Sequence, residues 1–90
     1  MDDHERRNAL LGREILSATV YAAEHMSEVL DVSASVEGDD SALRSALITE
    51  FGFSNVGADA VLGMQVRRFT PHAIARMRSQ LAEIQQSLTD

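Results

Sequence analysis

Residues 51–70 read FGFSNVGADAVLGMQVRRFT, and the fold depends on how this stretch is punctuated. Gly52, directly after Phe51, suits the left-handed position that ends a helix, and Phe53 then returns onto Ile48 as in a Schellman ending. Ser54 is a preferred N-cap, so a new helix is predicted over 55–65, apolar at Val61, Leu62 and Met64. Thr70 caps a further helix, with Pro71 at its first position, where the missing N–H costs nothing. One short stretch therefore holds a stop, a start, a stop and a start.

Downstream of this stretch, Ile74, Met77, Leu81, Ile84 and Leu88 alternate steps of three and four, the a/d seam of a helix that needs a helical partner. Upstream, Leu11, Ile15, Ala18, Ala22, Met26 and Val29 recur at the same spacing, which predicts one long helix from about residue 3 to 31. Residues 32–40, VSASVEGDD, read as a loop ending in an Asp or Ser cap, and a short helix follows over 41–50. The two long seams are of similar length, about 27 and 21 Å at 1.5 Å per residue, so an antiparallel two-helix coiled-coil stalk is predicted. Its seam is formed by Leu11, Ile15 and Met26 facing Ile74, Met77, Leu81, Ile84 and Leu88. The all-α chain then divides into a stalk helix (1–31), a helical knob (32–70) and a returning stalk helix (71–90).

Composition narrows the function classes. Ninety residues form one domain and bury only about 60–65% of the unfolded surface, so a second chain would add needed core. No cysteine is present, which removes disulfides and thiolate metal sites. No apolar run of membrane-spanning length occurs and the chain starts MDDHERRN, so neither a membrane span nor a secretion signal is expected, and the cytoplasm is the expected compartment. Net charge is −6, divided into −7 over residues 1–43 and +1 over 44–90. That balance withholds the phosphate-neutralising term that drives DNA binding. All eight basic residues are arginine, which reads as coding bias.

The segment ALRSALITEFGFSNVGADAVLGMQVRRFT resembles the C-terminal dimerisation (exit) gate of the bacterial type IIA topoisomerases, in the A chains of DNA gyrase and their topoisomerase IV counterpart. The family pattern there is approximately FGLS, two residues, QA, one residue, then AILxMRLxRLT. Phe51, Gly52, Ser54, Ala58, Ala60, Leu62, Met64, Arg68 and Thr70 match it, with conservative Phe53, Val61, Val66 and Phe69. The flanking helices resemble the gate's descending and returning arms, so the resemblance covers essentially the whole chain. It departs at Gly57 and Ala73, where the family completes capping boxes with Gln or an acid, and at Gly63, where an acid is usual. No counterpart of that family's DNA-cleavage and ATPase domains is expected in these ninety residues.

The resemblance implies a stand-alone, non-enzymatic homodimer whose knobs meet across a two-fold axis at Phe53, Val61, Leu62 and Met64. Its expected partner is a second copy, and pairing with the gyrase A protein would be a route to modulating gyrase. A protein-interaction scaffold with an unrelated partner is one other role, and a DNA-associated topoisomerase accessory factor is the alternative that the acidic charge disfavours. No catalytic, cofactor-binding or metal-binding residue is expected. Tyr21 stands mid-helix in TVYAAE without the arginine that would accompany a DNA-cleaving tyrosine. His4, His25 and His72 share no ligand spacing, and Arg67 and Arg68 read as a solvated or ion-paired face.

Overall fold

The computed structural model describes residues 1–89. The chain is all-α, with no strand among the described residues: α1 (Asp3–Glu24), α2 (Met26–Ser35), α3 (Asp40–Phe51), α4 (Asn55–Leu62), a 3₁₀ turn (Val66–Phe69) and α5 (Pro71–Thr89). The starts of α1, α3, α4 and α5 are each closed by a local side-chain acceptor, at the last three as the sequence predicts. Asp2, Asp39, Ser54 and Thr70 accept from the N–H groups of Glu5 (2.7 Å), Ala42 (3.2 Å), Gly57 (3.1 Å) and Ala73 (3.1 Å). Gly52 ends α3 at φ 72°, the left-handed region, and its N–H donates to Ile48 O at 2.9 Å.

Three boundaries differ from the sequence expectation. The first helix is not continuous to residue 31 but breaks at His25 (φ −123°, ψ 41°). There the backbone N–H and ring Nδ1 both donate to Tyr21 O at 2.9 Å, and the imidazole stacks on the Tyr21 ring, centroids 3.9 Å apart. The break lets α2 turn Val29 and Val32 onto a core of Ala18, Ala22, Leu47 and Val61, and that apolar burial offsets the interrupted turn. Second, α2 extends to Ser35, so the loop expected over 32–40 shrinks to the few residues before Asp40. Third, α4 stops at Leu62 rather than Gln65, and Gly63 serves as its cap, donating to Asp59 O at 3.2 Å. Gly63 is therefore not a mid-helix defect.

α1 and α5 run antiparallel. Gly12 faces Ile84, Val20 and Ala23 pack with Met77, and Glu24 pairs with Arg78. The face that α1 presents to α5 consists of Gly12, Leu16, Val20 and Ala23. Leu11 and Ile15 on α1 and Met26 on α2, expected in the seam, are exposed. On α5, Met77 is buried and Ile74, Leu81, Ile84 and Leu88 are half-buried. Helices α2 to α4 gather on the neighbouring face of α1, held by Ala18, Ala22, Gly57 and Ala58, all buried and small. The molecule measures 43 × 28 × 17 Å.

Candidate interaction surface

The four residues expected at a dimer contact have intramolecular partners. Val61 is 8% exposed and belongs to the core cluster with Ala18, Ala22 and Leu47, which leaves it almost no surface for another chain. Phe53 and Leu62 are half-buried against the same cluster, and Met64 packs against both this cluster and that of Val20, Ala23 and Met77. Phe53 turns toward Phe51 (5.5 Å between ring centroids) and Tyr21 (6.0 Å). The aromatic rings thus pin the α3–α4 corner to the end of α1. Tyr21 is part of this structural cluster, and its hydroxyl donates to Glu28 at 3.5 Å. His4, His25 and His72 lie at the start of α1, at its end and at the start of α5, and no group of three potential ligands is assembled among the described residues.

Exposed apolar side chains stand elsewhere. Leu30 (58% exposed) and Met26 lie one turn apart on α2, Leu11 and Ile15 on α1, and Val66 (81% exposed) on the 3₁₀ turn. In sequence, Met26 reads as a stalk residue and Val66 as a family match, so neither signals a surface. The i, i+4 spacing of Met26 and Leu30 was the available cue, and it becomes legible only once the helix is seen to break at His25.

Beside Met64 lies a groove of about 440 Å3 between α1, the end of α4 and α5, lined by Ile15, Leu16, Met77, Arg67 and Arg68 among others. A second groove of about 380 Å3 continues from it, sharing Arg67, Arg68, Met77 and Gln80 and adding His72 and Arg76. No carboxylate among the described residues lines either groove. Arg67, Arg68 and Arg76 make no ion pair among the described residues, where the pairs are Arg78–Glu24 and Arg44–Asp59. In the latter, Nε lies 2.8 Å from Oδ1 but its N–H is not aimed along the contact, so the pair is held by charge more than by a hydrogen bond. Arg67 and Arg68 thus form an unpaired cationic face in a chain that is acidic overall, and the sequence expectation of a solvated face fits their exposure.

No protein-family model matches the chain, and no curated protein shows significant similarity to it. No helix among the described residues is long and apolar enough to cross a membrane.

Proposed function

We propose that this protein is a non-enzymatic homodimerisation module built like a type IIA topoisomerase exit gate, with α1 and α5 as a coiled-coil stalk and α2 to α4 as the knob. The observation that carries this reading is the path of the chain. It leaves α1 at His25, turns through three short helices against that helix, and returns along it antiparallel as α5. The resemblance of residues 42–70 to the gate supports the same reading. So do Met26, Leu30 and Val66, apolar residues exposed on a chain too short to bury them alone. The module acts in the cytoplasm as an interaction scaffold, and pairing with the gyrase A protein is how it would alter gyrase.

Sedimentation equilibrium at micromolar concentration tests the dimer: twice 9.8 kDa is expected, and the monomer mass throughout overturns it. Co-expression with the gyrase A protein, together with a supercoiling assay in excess module, tests the gyrase role. No mixed species and unchanged supercoiling restrict the protein to self-pairing. Retardation of a DNA duplex at physiological salt would favour the accessory-factor reading, and the net charge of −6 stands against it.

A further inference from the structure

The arginine-lined groove has a complement on the same chain. Ile15, Leu16, Met64 and Met77 give it an apolar part of its floor, beside the polar Thr19, Gln65 and Gln80, and it carries Arg67 and Arg68 with no carboxylate among the described residues. A phosphate backbone has no use for such a floor, and no aromatic ring lines the groove on which a base would stack. The shape and charge suit an acidic segment that presents aliphatic side chains. α2 is such a segment: Met26 and Leu30 stand exposed one turn apart. From residue 25 to 43 the chain carries five acids and no arginine, with Asp31, Glu37, Asp39 and Asp40 all exposed.

We infer that α2 of a second copy, with the residues that follow it, lies in this groove, with Met26 and Leu30 on the apolar part of the floor and Asp31 and Glu37 against Arg67 and Arg68. A two-fold axis makes the contact reciprocal, so each chain gives one helix and receives one, and the assembly closes as a dimer. This deepens the homodimer reading and rests on it. It moves the contact from Phe53 and Val61, whose surfaces are committed internally, to the side where Met64 borders the groove.

Charge reversal in two halves tests the inference. Arg67→Glu/Arg68→Glu gives an acidic groove facing an acidic α2, and Asp31→Lys/Glu37→Lys gives a basic α2 facing a basic groove, so each should self-associate at least about tenfold more weakly than the parent. Asp39 is left in place because it caps α3. Mixed in equal amounts, the two variants should pair again, since one of the two contacts is then native and the other is reversed on both sides. Raising salt from about 50 to about 500 mM should weaken the parent dimer. Leu30→Ser, which removes apolar contact from an exposed site, should weaken it with the helical circular dichroism unchanged. Variants that dimerise like the parent overturn the groove contact while leaving the homodimer standing, and so does a mixture that stays monomeric. A parent that is monomeric at every concentration overturns both. DNA retardation by a monomeric parent, abolished by Arg67→Glu/Arg68→Glu, overturns the inference in favour of a polyanion site.

Discussion

A Cβ added to Gly57 would lie 2.9 Å from the Cβ of Ala18 and 3.2 Å from the carbonyl oxygen of Glu14. The first turn of α4 therefore rests on α1 with no room for a side chain. In sequence, Gly57 is only a capping box left incomplete. In the structure it is the contact that lets α4 approach α1 closely enough to bury Ala58 and Val61.

Gly57→Gln, which would restore the family's capping box, is expected to destabilise the protein. The gain in helix propensity is about 1 kcal/mol, whereas overpacking a fixed helix crossing costs about 1–3 kcal/mol, and here the colliding atoms are a Cβ and backbone rather than a flexible side-chain end. Chemical denaturation followed by circular dichroism measures the balance, and a more stable variant would contradict the close crossing. Gly63→Ala is the control: its Cβ meets nothing nearer than 3.8 Å, so a change within about 0.5 kcal/mol is expected.

The two core clusters should respond to truncation in similar measure. Leu47 is 1% exposed under α2 and α4, and Met77 is 3% exposed between α1 and α5. Leu47→Ala and Met77→Ala are each expected to cost about 2–5 kcal/mol. In a chain of this size that is enough to unfold a large fraction of molecules, which thermal melts would report.

The corner at Gly52 offers a separation of backbone from packing. Nothing lies within 4 Å of the Cβ position, yet φ is 72°, so Gly52→Ala should cost about 1–2 kcal/mol through the left-handed backbone alone. Ser54→Ala, two residues on, removes the acceptor for Gly57 N–H and should cost about 1 kcal/mol. Equal stability of either variant and the parent would show that the corner relaxes at no cost.

Asp substitutions at Leu81 and Met64 probe α5 and the groove. Leu81 is half-buried in the α5 seam, and Leu81→Asp should reduce helicity by placing a carboxylate there. Met64→Asp should weaken the proposed dimer, because Met64 borders the groove, and also lower the stability of the single chain, because Met64 packs on both clusters. Sedimentation and circular dichroism together read the two effects, and a folded Met64→Asp dimer would remove Met64 from the interface.

The Arg78–Glu24 pair, which ties α5 to the end of α1, is substantially exposed on the arginine side. A double-mutant cycle to alanine should return no more than about 1 kcal/mol, and less at high salt.

What the sequence determined by itself is the local grammar of the helices. Asp39, Ser54, Thr70, Pro71 and Gly52 act within four residues of where they stand, so their roles as caps and stops survive into the structure unchanged, and the all-α class with them. The face of α1 was decided only by tertiary packing. Periodicity finds the stripe that includes Ala18 and Ala22, which are buried, but it assigns that stripe to the α5 contact, whereas α5 meets Gly12, Leu16, Val20 and Ala23 on another face, and Leu11, Ile15 and Met26 stay exposed. The break at His25 has a local part, the stacking on Tyr21 four residues earlier, but what directs α2 is the packing of Val29 and Val32 on a cluster that includes Leu47 and Val61, residues distant in sequence. The unpaired arginine groove arises in the same way: Arg67 and Arg68 meet Ile15, Met77 and Arg76 only after α5 folds back along α1, and no spacing along the chain encodes that meeting.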